Sequence, residues 1–229
     1  MSSHLNLEEQ EQLDELKHFW KKYGNAITWF LIVVMGAYVA WNGFQYWERQ
    51  QSTKASALFD EVERSAAAND AAKLERAWND MKERFPRTTF ATQSALLAAK
   101  VFQQSDKPDA ALTALKWASD NASDEAGSQL ARIRLANLQS QMKSYDEALK
   151  TLSKPFQPAF AGLAADIQGD VLVSQNKSAE AVKAYTEAWT QLADNAEYRP
   201  LVAAKLNALG TDPTQALSLI HISEPTRRS

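Results

Sequence analysis

Residues 26–47 form a run of 22 positions without a charged side chain. A helix rises 1.5 Å per residue, so about 20 such residues cross a hydrocarbon layer about 30 Å thick. Aromatic side chains gather at both ends of the run: Trp20, Tyr23, Trp29 and Phe30 early, Trp41, Phe44, Tyr46 and Trp47 late. Amphipathic rings favour the headgroup layer, so two belts mark two interfaces. The core helix of a soluble domain has no reason to place tryptophans at both ends. A cleaved signal fits poorly, because the lead is the acidic NLEEQEQLDEL rather than a short basic region. The run is also long for a signal's apolar segment, and GAYVAWNGF offers no clean A-x-A-like cleavage site. The reading is a single uncleaved transmembrane helix over residues 25–47.

Flanking cations set the expected orientation. Lys17, Lys21 and Lys22 precede the run, and Arg49 and Lys54 follow it. Cytoplasmic flanks are enriched in Lys and Arg, which places residues 1–24 in the cytoplasm by a margin of three cations to two. Within the run Gly36, Ala40 and Gly43 fall at i, i+4 and i+7, a stripe on which a partner helix can pack closely. The bland reading is that glycine and alanine are simply common in spanning helices. Ahead of the run, Leu5, Leu13, Leu16, Phe19 and Trp20 recur at roughly helical spacing among charges. That pattern fits a short helix lying on the membrane surface, or a solvated extension of the spanning helix.

The remainder points to an all-α chain. It has only seven glycines and seven prolines in 229 residues, with alanine throughout. Over residues 56–209 helical runs alternate with short polar joints such as SDKP, QMKSYDE and QNKSAE, which leaves neighbouring helices antiparallel. Asp106 and Ser178 read as helix start signals, and Pro108 suits a first turn. Aligning PDAALTAL (108–115), YDEALKTL (145–152) and SAEAVKAY (178–185) puts Ala111, Ala148 and Ala181 in one register. Twelve residues upstream of each lies another small residue, Ala99, Ala136 and Gly169. The intervals of 37 and 33 residues bracket the helix–turn–helix repeat of about 34 residues in tetratricopeptide arrays.

Seven residues after Ala111 and Ala181 come Ala118 and Ala188, whereas Ala148 is followed at that offset by Pro155, so the middle repeat is expected to end early. Small residues let the two helices of a pair cross closely, while Leu115, Leu152 and Tyr185 fill the space between stacked pairs. The unit DIQGDVLVSQNKSAEAVKAYTEAW (166–189) resembles the tetratricopeptide consensus closely. A divergent pair at 56–68 and 71–85 is expected to cap the array, and the stretch after Tyr198 to form a terminal helix. The expected architecture is one N-terminal transmembrane helix followed by a tetratricopeptide-like α-solenoid of about four helix pairs over 48–209. The alternative is an alanine-rich bundle without repeats.

The final segment, LSLIHISEPTRRS (217–229), breaks from this pattern and reads as the in-frame translation of a transposase sequencing adapter. Residues 210–216 are then the end of the native chain. Setting the segment aside removes His221 and leaves only His4 and His18, both ahead of the spanning run.

With no cysteine in the chain and no histidine after the run, the usual zinc ligands and the commonest general base are missing there. There is no Gly-rich phosphate loop and no nucleophile elbow. Asp60, Glu61 and Glu63 sit beside Lys and Arg in the manner of a solvated helix face. A net charge of −3 without a long basic run makes no case for nucleic acid. No catalytic, cofactor-binding or metal-ligating residue is therefore assigned, and no small-molecule substrate is expected. What remains is a surface, expected to be concave and suited to an extended peptide or a partner helix. Arg132 and Arg134 are candidates for an acidic or C-terminal carboxylate group, or else solvated; Trp78, Trp117 and Trp189 read as packing residues.

The segment LEEQEQLDELKHFWKKYGNAITW, the anchor, NGFQYWERQQ and about four helix pairs together resemble the YfgM family of ancillary SecYEG translocon subunits, over about residues 5–216. The resemblance implies a bacterial inner-membrane protein with a cytoplasmic N-terminus and a periplasmic repeat domain. It implies as partners the SecYEG translocon, the membrane-anchored isomerase PpiD, and unfolded or emerging proteins bound for periplasmic chaperones. It brings no catalytic residues. The expected function is a non-enzymatic adaptor; the competing expectation is a scaffold for cell-envelope assembly or division.

Overall fold

A computed structural model describes the backbone of residues 7–193 and 196–213. His4, Leu5 and the adapter-like 217–229 lie outside the described residues. The helices among the described residues are α1 (Leu7–Ala67), α2 (Ala71–Arg84), α3 (Thr89–Gln104), α4 (Pro108–Asn121), α5 (Glu125–Gln141), α6 (Tyr145–Leu152), α7 (Pro158–Ser174), α8 (Ser178–Gln191) and α9 (Arg199–Ala208). No strand occurs among those residues. The chain divides into two compact units, Met1–Gln51 and Ser52–Ser229.

In the first unit, helix α1 runs without a break from Leu7 through the apolar run. The segment ahead of the run is thus a helical extension of it. Trp29, Phe30, Val33, Met35, Tyr38 and Trp41 are all exposed, and none of the apolar window is buried within the protein. Two polar side chains within the run donate to carbonyls of their own helix. Thr28 Oγ1 donates to the Gly24 carbonyl at 2.8 Å and Asn42 Nδ2 to the Tyr38 carbonyl at 2.9 Å. A helix facing lipid must satisfy its polar groups internally, and these bonds take up the Thr28 hydroxyl proton and one N–H of Asn42.

The second unit begins with the last turns of α1 and is organised by one recurrent turn. Asn69, Asp106, Lys143, Asn176 and Gly210 all have positive φ, between 50° and 76°, at spacings of 37, 37, 33 and 34 residues. After each, the next backbone N–H reaches back to close the same six-residue loop: Asp70 to Ser65, Lys107 to Phe102, Ser144 to Gln139, Lys177 to Leu172 and Thr211 to Leu206, at 2.8–3.0 Å. The positive-φ residue itself bonds to the carbonyl three back in every case. This is the Schellman closure of a helix C-terminus, which satisfies carbonyls that would otherwise be orphaned and turns the chain sharply. The first pair, the end of α1 with α2, carries the same turn as the later three. It shares the turn of the array but diverges at the crossing, where Leu74 stands in place of alanine. The turn at Gly210 makes α9 the counterpart of α3, α5 and α7.

Two start signals have a different role from the one their residue types suggest. Asp106 is the αL residue that ends α3, and Ser178 is the first residue of α8 rather than its cap, with Lys177 before it. Side-chain caps stand instead at Asp70, Thr88 and Asp124, which accept from the N–H of Lys73, Ala91 and Gly127. Pro108 does open α4. Helix α6 stops at Leu152, ahead of Pro155, so the middle repeat is short.

The core follows the repeats. Ala99, Ala111 and Ala118 belong to one cluster, Ala136 and Ala148 to a second, Ala181 and Ala188 to a third. Each of these alanines is at most 2% exposed. Gly169 is buried as well, and a Cβ built there would fall on the ring carbons of Tyr185. The register explains the pairing. Where two repeats set alanine against leucine (Ala99 with Leu115, Ala136 with Leu152), the third sets glycine against tyrosine, and the larger ring needs the missing methyl. Overpacking of this kind costs about 1–3 kcal/mol. Gly169→Ala is therefore expected to lower stability by roughly that amount in chemical denaturation. In Gly169→Ala/Tyr185→Leu the loss should be smaller than the sum of the single losses; strict additivity would contradict the pairing.

Candidate interaction surfaces

In the first unit, Gly36, Ala40 and Gly43 are exposed on one helix, and a Cβ at either glycine would meet open space. No atom of the described chain occupies that stripe. In the second unit α3 packs on α5 and α5 on α7, so alternate helices share a face. Two of the grooves formed by the described residues lie on this unit. One, of about 680 Å³ between α4, α5 and α6, carries both signs of charge, with Lys116, Lys150 and Lys154 beside Asp120, Glu125 and Glu147. The other, of about 310 Å³, lies between α3 and α5 over Leu115 of α4.

Two neighbouring arginines of α5 have opposite roles. Arg132 is only 7% exposed. Its Nη2 donates to the Lys154 carbonyl at 2.6 Å and its Nη1 to that of Pro155 at 3.3 Å, while the guanidinium stacks on Phe156 at 4.0 Å. It closes the irregular segment after the short α6, and burial pushes its pKa down. It is not simply solvated: its two terminal nitrogens are taken up within the fold, and it also lines the larger groove. Arg134 is exposed and lines the smaller groove. Trp78 is buried and meets Trp117 edge-on at 4.8 Å, and Trp189 lies under Arg199 at 4.0 Å; all three pack. Asp60, Glu61 and Glu63 are exposed.

One cluster has no forerunner in the sequence patterns. Asp166, fully buried on α7, accepts from Lys205 Nζ of α9 at 2.7 and 2.9 Å and from the Tyr198 hydroxyl at 2.6 Å. Lys205 also reaches Asp170, whose other partner is the Tyr185 hydroxyl at 2.7 Å. A buried carboxylate is tolerable only when its lone pairs are taken up, and this one has an ammonium and a phenol. The clasp ties α7, α8 and α9 together. Burial, and then the hydrogen bonds to Asp170 and Asp166, push the Tyr185 and Tyr198 phenols well above the ordinary value.

Removing Lys205 leaves Asp166 buried with one neutral partner. Lys205→Met is expected to cost roughly 2–4 kcal/mol in denaturant titration, with part restored by adding Asp166→Asn. The tyrosines have a separate signature. Their folded pKa exceeds the unfolded value near 10, so the stability they confer is complete below pH 10 and falls as pH rises further. Each should contribute a slope of about 1.4 kcal/mol per pH unit above 10. Tyr185→Phe/Tyr198→Phe should flatten the alkaline limb of a stability–pH curve, although it starts lower.

Comparison with known proteins is consistent with this architecture. The family described as "Tetratricopeptide repeat-like domain" matches residues 17–211. A Neisseria gonorrhoeae protein named "Ancillary SecYEG translocon subunit" is 32% identical over 210 residues, covering 91% of this chain and 100% of the relative. Proteins of the same name from Haemophilus influenzae and Escherichia coli K12 are each 26% identical, over 80% and 73% of this chain. The family match spans the anchor and the repeats together. The chain belongs to the YfgM family of ancillary SecYEG translocon subunits, with their tetratricopeptide-repeat-like domain.

Proposed function

We propose that this chain is a non-enzymatic adaptor of the bacterial inner membrane that works at the Sec translocon. Residues 1–24 lie in the cytoplasm, 25–47 span the membrane, and 48–209 form the periplasmic repeat domain. The anchor associates with the channel, and the repeats engage a PpiD-like membrane-anchored isomerase or secretory polypeptides as they emerge. The observation that carries this reading is the union, in one chain, of an exposed apolar helix with tryptophans at both ends and a closed-turn helical array. It is supported by relatives that bear the name of ancillary translocon subunits.

Within the anchor, the Gly36/Ala40/Gly43 stripe is the proposed contact, since two missing side chains let a partner backbone approach closely. A photoreactive residue at position 40, and others on the repeats, test the reading in intact membranes. Channel subunits should be captured from the anchor, and an isomerase or a nascent secreted chain from the repeats. Capture of neither sinks it. Gly36→Leu/Gly43→Leu should cut channel recovery several-fold while the amount inserted in the membrane is unchanged.

A further inference from the structure

The apolar run of α1 carries five side chains with a hydroxyl or an amide: Thr28, Tyr38, Asn42, Gln45 and Tyr46. Four of the five fall on one stripe. Thr28, Leu31, Met35, Tyr38, Asn42 and Gln45 follow one another at alternating steps of three and four residues along the unbroken helix. A stripe that repeats every 3.5 residues is the seam along which two helices coil together. It is distinct from the Gly36/Ala40/Gly43 stripe, since at about 100° per residue the two lie roughly 150° apart.

Asn42 is the most constrained member. In the span proposed above it stands six residues from Gly36, the middle of 25–47. That is about 9 Å from the midplane, inside a hydrocarbon half-thickness of about 15 Å. Its Nδ2 donates to the Tyr38 carbonyl at 2.9 Å, which turns the amide toward the middle of the membrane rather than the headgroups. Its Oδ1 and its second N–H find no partner among the described residues, and Gln45 makes no side-chain hydrogen bond there. Asn42 is exposed on the helix, so this open amide edge faces lipid. Hydrocarbon supplies neither donor nor acceptor, and an unmade bond in it is costly. A polar residue merely tolerated near the interface would have no need to share a face with a second amide and two hydroxyls.

We propose that this seam joins the anchor to a second copy of the chain. Single-pass copies inserted the same way stand parallel, and the bilayer holds a given residue of each at one depth. Asn42 therefore meets Asn42. A primary amide is both donor and acceptor, so the pair is self-complementary about a two-fold axis, each Nδ2–H donating to the other copy's Oδ1. Gln45 repeats the pairing three residues on, and Leu31 and Met35 supply apolar packing. A different helix would need an amide at the same depth and register; an identical copy has one in any case. The small-residue stripe lies on the other side, so pairing leaves the proposed channel contact uncovered. The inference rests on the spanning reading of 25–47 and on nothing in the repeats.

The chain has no cysteine, so single cysteines report without background. Full-length Leu31→Cys, Met35→Cys and Tyr38→Cys variants, and Val33→Cys and Ala40→Cys on the other face, are oxidised in native membranes. The first three should give a disulfide-linked species of twice the chain's mass, several-fold above the other two. In proteoliposomes, energy transfer between donor- and acceptor-tagged copies at increasing lipid dilution measures the affinity. Asn42→Leu/Gln45→Leu should weaken it roughly tenfold while inserting at least as well, and Asn42→Gln, which keeps an amide, should retain most of it. Equal linkage at all five positions, linkage only to a protein of another mass, or an unchanged affinity in the leucine variant overturns the proposal. Alkaline carbonate extraction of the same membranes separates the premise. Release of the chain would overturn the spanning reading and the pairing with it, whereas retention without seam linkage overturns the pairing alone.

Discussion

One residue at positive φ closes every helix pair of the array, and the rest of the second unit is built on that turn. It returns the chain antiparallel while bonding the last carbonyls of the outgoing helix. Five residues on, the returning helix presents its buried crossing residue: Leu74, Ala111, Ala148 and Ala181 follow Asn69, Asp106, Lys143 and Asn176. Left-handed backbone costs a non-glycine residue about 1–2 kcal/mol, least for Asn and Asp. Three of the five positions hold Asn or Asp and one holds glycine; Lys143 bears the strain without such help. The crossing then fixes how large a neighbour each pair can accept, which is why Gly169 and Tyr185 occur together.

Much of this is legible in the sequence, because alanine at fixed spacing is a direct imprint of close helix crossing. The first pair escapes the same reading for a specific reason. Its crossing residue is Leu74, so an alignment keyed to small side chains has nothing to match, whereas the turn at Asn69 preserves the register in backbone geometry. The continuity of α1 is also hidden. ERQQSTKAS, residues 48–56, contains neither glycine nor proline to stop a helix, and a change from apolar to polar composition is not itself a break. Asp166 looks in sequence like any solvated helical acid. Its burial depends on Tyr198 and Lys205, 32 and 39 residues away, and only packing brings them together. Arg132 and Arg134 are alike by composition and opposite by position, one facing the carbonyls after α6 and the other facing outward.

These details give the adaptor reading physical content. The array is held by alanine crossings and backbone turns together with a few buried polar side chains such as Arg132 and Asp166. Toward α9 the polar groups are consumed by the Asp166 clasp, which locks the helices. The exposed apolar helix of the first unit supplies the tether, with Thr28 and Asn42 each donating to a carbonyl of their own helix.

The central claim is that one membrane-tethered chain carries its repeats on the extracytoplasmic side. Limited proteolysis of spheroplasts against intact and lysed cells tests it directly. The account predicts that added protease digests the repeats once the outer envelope is opened, leaving a protected fragment that holds the N-terminus and the anchor. Digestion of the repeats only after the inner membrane is ruptured would contradict it.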